Sequence, residues 1–489
     1  MTDIIVFGAG KNGKECLKKY GDRIVYFADN DITKAANRFE GHRVLTINEY
    51  IEKCKDYHTI IAITRFAEVV KEIDEMCDGD YSFFIPEYEE QIINIAKLIK
   101  ERKGRIVFLG VSDATFVILK NLEYEGIEVK NIVIADKPDS SYIGKQYYGH
   151  TIKNIKESVK NDDIIVISSP ERTFPLMVYA KRELSEYEVV NYFIRTSYYN
   201  TEQIVINRYE GVRDKNENEY IESGKTSGIQ KSVREYSEEL YKKLPLFEFI
   251  EIETVNWCNG MCEFCPVSVP NNRREKVIMD ESVFYSIIDQ LADLNYSGRL
   301  ALFSNGEPFL DHRIIDFHRY AREKCKKARI HLFTNGTLLT MDKFLSIIDY
   351  LDEMIIDNYN QDLKLIKNSE QIYEYCLAHK ELKPKVSIVL RKPTEILTSR
   401  GGDAPNRTKQ VYYPDESCVL PFKQMTIRAE GKVSLCCNDV FGKITLGDLR
   451  TDKLIDIWYG ERFEAVRKAL LVGRKECAGC MYCDAFSLF

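Results

Sequence analysis

No apolar run in the 489 residues is long enough to span a bilayer, which excludes a membrane-spanning helix. The N-terminus, MTDIIVFGAG, lacks the basic start, apolar core and small-residue cleavage site of a secretory signal, so the chain is expected in the cytoplasm. Positive charge is not in excess. The 69 Lys and Arg against 76 Asp and Glu leave a net charge of -7, which argues against a nucleic-acid partner. The bias of disordered or fibrous chains is missing too. With 44% hydrophobic and 30% charged residues the chain is a folded protein, and its length calls for two to four domains.

Cysteine is what the sequence does have, at 14 residues, in a compartment expected to be reducing. Clustered thiols there are metal ligands or redox groups more often than disulfides. Cys16, Cys54, Cys77, Cys325 and Cys376 stand alone and are expected to be small buried hydrophobes. The other nine fall in two regions: the segment CNGMCEFCP over 258–266, and the last eighty or so residues.

Along the chain, residues 4–8 (IIVFG), IVYFADND and TIIAIT alternate with helical stretches, and RIVFLG, IVIADKP and DDIIVISSP repeat that order from residue 105. Short apolar strands alternating with helices signal parallel sheet, so two tandem Rossmann-like units are expected over 1–98 and 99–195. Gly8, Gly10 and Gly13 follow G-x-G-x-x-G between strand and helix, where backbone N–H groups can approach a phosphate while Asp29 or Asp31 meets a ribose. This resembles the nucleotide-binding units of sugar-processing proteins, and implies a nucleotide or nucleotide sugar as ligand. The second turn reads GVSDAT, retains only Gly110, and has Asp136 where the first has Asp29, so this unit is expected to be degenerate. Residues 196–245 turn polar, as in RDKNENEYIESGKTSG, and read as a linker ending in an amphipathic helix. From Phe247 strands and helices alternate again, which suits a partial α/β barrel over 246–408 with functional residues at the C-terminal ends of its strands.

The triplet Cys258, Cys262 and Cys265 falls at such an end. A structural zinc site wants four protein ligands, and no histidine lies nearby to complete the set. An iron–sulfur cubane on three cysteines leaves one iron open for an exogenous ligand. The C-x-x-x-C-x-x-C spacing, with Asn305-Gly306-Glu307-Pro308 after the following strand, resembles the radical S-adenosylmethionine (radical SAM) superfamily. The resemblance implies a 4Fe–4S cluster on the triplet whose open iron chelates S-adenosylmethionine, and a 5′-deoxyadenosyl radical that removes a hydrogen atom from substrate. It places Phe264 against adenine, Asn305, Gly306 and Glu307 at the methionine ammonium with Asn in place of the family's first Gly, Asn358 at the ribose, and Arg391 or Arg400 at the carboxylate. A flavodoxin- or ferredoxin-type donor is the partner it implies. Tyr359, Arg400 and the RGGDAPNR loop are candidates to line a substrate pocket.

In the tail, Cys418 is followed by Gly431 and Cys436, then by Cys477, Cys480 and Cys483. This resembles the SPASM extension, or its shortened form twitch, which implies an auxiliary 4Fe–4S cluster in 409–489. Cys418, Cys436, Cys477 and Cys480 are the expected ligands, with Cys437 and Cys483 as alternatives; four thiolates would suit zinc as well. Relatives with this tail oxidise alcohol or thiol carbons, crosslink peptides or epimerise. A nucleotide-activated sugar or other small carbohydrate is the expected substrate, ahead of a ribosomal peptide, since no winged-helix peptide-recognition pattern is seen. Other readings are an NAD-dependent oxidoreductase with a zinc-bearing tail, or a scaffold.

Overall fold

The computed structural model describes residues 3–35, 37–63, 66–76, 81–102, 104–147, 149–193, 203–209, 226–268 and 274–485. The chain divides into two compact units, Met1–Ile194 and Arg195–Phe489. Cys77 and the polar stretch 210–225 of the expected linker lie outside the described residues.

The N-terminal unit holds both repeats. In the first, a six-stranded sheet runs in the order Arg38–Phe39, His42–Leu45, Ile24–Ala28, Ile4–Phe7, His58–Ile61, Tyr81–Phe83, parallel except at the first edge. The second is five-stranded, in the order Lys153–Asn154, Val133–Asp136, Ile106–Leu109, Ile164–Ile167, Glu188–Val190. The central strands are short and fully buried, as expected when helices cover both faces of a parallel sheet. The repeats do not pack as separate bodies: Ile5, Phe83, Phe108 and Val166 belong to one hydrophobic core. The boundary expected at residue 98 falls inside the helix Glu89–Glu101, whose buried Ile92 and Ile95 join that core. Asn121 of the second repeat pairs its amide with the backbone of Phe83, accepting from N at 2.7 Å and donating to O at 2.9 Å. It takes the place of a neighbouring strand at the open edge of the first sheet.

The C-terminal unit is organised by a nine-stranded sheet. Its strands are β1 (Val205–Asn207), β2 (Phe249–Ile252), β3 (Arg299–Ala301), β4 (Arg329–Thr334), β5 (Glu353–Tyr359), β6 (Val386–Arg391), β7 (Gln424–Ile427), β8 (Lys432–Ser434) and β9 (Thr445–Asp448). The spatial order is β1-β6-β5-β4-β3-β2-β7-β8-β9, parallel from β1 to β7 and antiparallel thereafter. Helices Glu281–Asp293, Ile314–Lys324, Met341–Ile347 and Lys367–Ala378 make the crossovers. Asp280 and Thr340 cap two of them by accepting the N–H of Ser282 and Lys343.

One expectation changes here. The segment read as a linker supplies β1, paired with β6, and a helix, Thr226–Lys242, whose Val233, Tyr236 and Leu240 are buried. Three-residue strands such as VIN carry too little periodicity to be seen in a polar context. The cysteine-rich tail expected over 409–489 joins the same sheet, because β7 pairs directly with β2 and carries the parallel sheet into it. Trp458, fully buried, anchors that tail: its Nε1 donates to Pro245 O at 2.9 Å, and the buried Arg467 guanidinium lies 4.3 Å from its ring. Among the described residues no helix is long and apolar enough to cross a membrane.

Trp458→Ala is expected to cost the C-terminal unit about 3–5 kcal/mol in denaturant unfolding. Ile93→Ala, at a position 61% exposed in the N-terminal unit, stays within about 0.5 kcal/mol of wild type.

Candidate active site

The C-terminal ends of β2 to β6 open into one cavity of about 350 Å³. Cys258, Cys262 and Cys265 line it, together with Phe264, Asn305, Gly306, Glu307, Tyr359, Arg391 and Arg400. The loop after β2 carries the triplet. Asn335, at the end of β4, steadies it: its amide donates to Asn259 Oδ1 at 2.9 Å and approaches Cys258 Sγ at 3.6 Å, while Gly260 N lies 3.2 Å from the same sulfur. Burial pushes the Cys258 thiol up to about 11 and Cys262 further in the same direction, with Cys265 adding to both shifts. Thiolates so desolvated need a cationic partner to persist. Among the described residues no three such donors are already drawn together around a metal position. The fit therefore rests on donor chemistry: three soft thiols open into one cavity, and Cys437, which also lines it, has Glu251, Arg400 and Cys483 as its charged neighbours rather than the triplet. That set suits a cubane with one open iron.

Gly306 sits where no side chain fits, since a Cβ there would lie 2.1 Å from Val255 O. This close approach packs the turn after β3 against the triplet loop, and Glu307 N donates to Trp257 O at 3.0 Å. The Glu307 carboxylate is buried and accepts from Thr334 Oγ1 (2.8 Å), Asn335 N (2.9 Å) and Phe309 N (3.1 Å). Burial raises its pKa and those three donors oppose the rise. An incoming ammonium would oppose it further, as expected for an S-adenosylmethionine amino group.

Phe264 is buried in the wall, 5.8 Å from the Tyr359 ring and under the Arg391 guanidinium. Tyr359 and Arg391 are register partners on β5 and β6 and face the cavity together. Arg391 is already engaged, donating through Nε and Nη2 to Glu395 Oε2 at 3.0 and 2.6 Å and approaching Asp357 Oδ1 at 3.4 Å. Of the two arginines, Arg400 is the one that donates to no carboxylate among the described residues; its hydrogen bond goes to Asn305 Oδ1.

Asn358 does not reach the cavity. Side chains alternate along a strand, so with Asp357 and Tyr359 facing the cavity Asn358 faces away. It braces the next loop instead, donating to Lys364 O and accepting from Ile366 N, both at 2.9 Å. The expected ribose contact is withdrawn on that geometry.

Sequence reasoning missed Glu251. This β2 carboxylate is buried in the cavity wall, accepting from Ser304 Oγ at 2.7 Å and Gln424 Nε2 at 2.9 Å. Burial raises its pKa to about 7, against the opposing effects of Ser304 and Arg400. The signal was present: Glu251 and Glu253 are spaced by two in the apolar run FEFIEIETV, so they share one face.

A second cavity lies in the tail, lined by Cys418, Cys436, Cys480, Cys483 and Gly401 among others. Cys477, expected as a ligand, is not in its lining and hydrogen-bonds to Cys480, whereas Cys483 is. The backbone turns back twice, Cys480 N donating to Cys477 O and Cys483 N to Cys480 O, which carries the chain from Cys477 outside the lining to Cys483 within it. The two cavities lie back to back. Arg400 and Cys437 line the first, and the adjacent Gly401 and Cys436 line the second, so consecutive residues of two loops separate them.

In the N-terminal unit Gly8 has φ +119°, and a Cβ on Gly13 would lie 2.2 Å from Gly8 O, so both glycines meet the demands of a tight strand-to-helix turn. Gly10 faces open space. Asp29 bonds this turn itself, accepting from Ala9 N at 2.9 Å and from Lys34 Nζ at 2.8 Å. In the second repeat Arg172 forks onto Asp136 at 2.7 and 3.0 Å, occupying the carboxylate that would meet a ribose.

The C-terminal unit is therefore a largely parallel α/β sheet, a partial barrel, with two thiol-lined cavities, one adjoining a Gly-Glu turn. Residues 252–386 match the model of the radical SAM superfamily, and residues 418–484 match that of the SPASM iron–sulfur cluster-binding domain. A sequence relative is the S-adenosyl-L-methionine-dependent 2-deoxy-scyllo-inosamine dehydrogenase of Niallia circulans, 28% identical over 245 residues, or 50% of this chain and 95% of the relative. Among solved structures, BtrN in complex with AdoMet and 2-DOIA is 26% identical with a TM-score of 0.43, covering 49% of this chain and 94% of that one. SuiB of Streptococcus suis bound to precursor peptide SuiA is 12% identical with a TM-score of 0.33, covering 54% and 75%. The chain therefore carries a radical SAM domain and a SPASM iron–sulfur cluster-binding domain, and these domains imply S-adenosylmethionine and 4Fe–4S clusters as cofactors.

The raised pKa of Glu251 sets a sign for stability. Its stabilising contribution as a neutral acid is complete below the unfolded value of 4.5 and is lost as pH rises through about 7. Glu251→Gln is thus expected to be more stable than wild type at pH 8, by on the order of 2–3 kcal/mol, with the difference vanishing below pH ~4.5, as read by urea melts at both pH values.

Proposed function

We propose that the enzyme oxidises a carbinol carbon on a small hydroxylated ring of the carbohydrate or aminocyclitol class to a ketone. The observation that carries this reading is that consecutive residues, Arg400–Gly401 and Cys436–Cys437, line the two cavities from either side, which gives a substrate against Arg400 and Cys437 a path for an electron into the tail. The 28% relative, itself a dehydrogenase of an aminocyclitol, matches 50% of the chain over 95% of its own length. When bound, the cluster and S-adenosylmethionine supply a 5′-deoxyadenosyl radical that takes a hydrogen atom, and the auxiliary cluster takes up an electron.

The chain's own residues do the rest. Gly306 and Glu307 hold the methionine ammonium, and Phe264 forms the apolar wall beside adenine. Arg400 and Glu251 face the substrate with opposite charges, one for a hydroxyl oxygen and the other for a hydroxyl proton or an ammonium. With a pKa near 7, Glu251 suits acceptance of the hydroxyl proton that must leave as the carbonyl forms. For the auxiliary cluster we propose Cys418, Cys436, Cys480 and Cys483 as ligands. A flavodoxin- or ferredoxin-type donor and a cytoplasmic setting complete the proposal. At the first N-terminal repeat, a nucleotide ribose would compete with Ala9 N for Asp29; calorimetric titration of the full chain with NAD and nucleotide sugars tests that site.

The test of function is anaerobic reconstitution followed by addition of S-adenosylmethionine, reductant and 2-deoxy-scyllo-inosamine. The expected result is ketone and 5′-deoxyadenosine in about a 1:1 ratio from a protein with about eight irons, and neither product from the triple variant Cys258→Ala/Cys262→Ala/Cys265→Ala with about four irons. Ketone formation absent from the wild type, with no substrate stimulation of 5′-deoxyadenosine, would reject the substrate class. For the ligand set, iron counting should give about eight irons in Cys477→Ser and about four in Cys483→Ser; the reverse would restore Cys477.

A further inference from the structure

We propose that Asn305 works on the substrate side of the cavity rather than on S-adenosylmethionine: it is a positioning residue that aims Arg400 and ties the turn after β3 to the auxiliary-cluster loop. The proposal rests on the function proposed above for its substrate, but not for its geometry.

The Asn-Gly-Glu turn is split between two tasks. Gly306 and Glu307 are engaged with the triplet loop and the end of β4. Asn305 turns the other way. Its Nδ2 donates to Cys437 O at 3.2 Å and to Ser304 Oγ at 3.3 Å, and its Oδ1 accepts from Arg400 Nη2. Its backbone N donates to Glu253 Oε1 at 3.2 Å. A glycine at this position could make neither side-chain link.

Arg400 needs such a guide. It has φ +51° and opens a left-handed run continued by Gly401 at +66° and Gly402 at +87°, a conformation unfavourable for an arginine. The run is pinned from the tail: Ser399 N donates to Asp484 Oδ1 at 2.6 Å, and Ser399 Oγ to Tyr482 O at 2.7 Å. The backbone thus delivers Arg400 to the cavity wall, and Asn305 fixes where the guanidinium ends. Cys437 O, the other end of the tie, belongs to the residue after Cys436, which lines the auxiliary cavity.

Asn305→Gly and Asn305→Asp in the full reconstituted chain test this. If the proposal holds, S-adenosylmethionine changes the electron paramagnetic resonance spectrum of the reduced primary cluster at the same concentrations in both variants as in wild type. In Asn305→Gly the auxiliary-cluster spectrum shifts, the KM for 2-deoxy-scyllo-inosamine rises about tenfold with a smaller loss of kcat, and the 5′-deoxyadenosine to ketone ratio climbs above one. Asn305→Asp keeps an acceptor for Arg400 and so restores KM, while the auxiliary spectrum stays shifted because the donor to Cys437 O is gone. Loss of the S-adenosylmethionine response would overturn the proposal, as would an unchanged auxiliary spectrum or KM in Asn305→Gly. If the wild type does not turn over 2-deoxy-scyllo-inosamine, the substrate class fails, and the two spectra still decide on which side Asn305 acts.

Discussion

The pairing of β2 with β7 is the constraint on which the rest of the C-terminal unit depends. Four register pairs, from Phe249–Gln424 to Ile252–Ile427, weld a sheet edge of the radical SAM barrel to the first strand of the tail. Gln424 crosses that seam to donate to Glu251, so the same ladder that joins the domains also orients a cavity acid. With β7 in place, the turn after β8 brings Cys436 and Cys437 over the end of the barrel, and the two cavities come to share a wall. A tail attached through a flexible linker would leave the spacing between them undefined.

Electrostatics explains why the cavity is built from groups costly to bury. Glu251 and Glu307 both have raised pKa values from desolvation, each softened by hydrogen-bond donors aimed at its oxygens. Cys437 is pushed up to about 12 by burial and by Glu251. A pocket with several frustrated acids is primed for positive ligands, and the sulfonium, ammonium and iron centres expected there carry such charge. The cost is offset elsewhere, by the closely packed Gly306 turn and by the Trp458–Arg467 anchor at the far end of the unit.

Much of this was legible in the residues. The triplet, the Asn305–Glu307 turn and Arg400 all line one cavity because each follows a parallel strand of one sheet, and the C-terminal ends of those strands converge. What was not legible depends on direction rather than position. Asn358 sits at the right strand end but on the wrong face, and a shift of one residue reverses that in any strand. Cys477, Cys480 and Cys483 have equal spacings, so only the fold of two successive turns distinguishes the pair that lines the second cavity. Asp136 has the position of a ribose acceptor, but its partner Arg172 lies thirty-six residues away and shows only once the sheet is formed. β1 was hidden because three residues pairing at a sheet edge leave no pattern.

The central claim is that hydrogen is taken from a substrate carbon held against the shared wall. It is tested most directly with 2-deoxy-scyllo-inosamine deuterated at the ring carbons bearing oxygen, by mass spectrometry of the 5′-deoxyadenosine formed. The account predicts one deuterium in 5′-deoxyadenosine for each ketone produced. Ketone formed with unlabelled 5′-deoxyadenosine, or labelled 5′-deoxyadenosine with no oxidised ring, would contradict it.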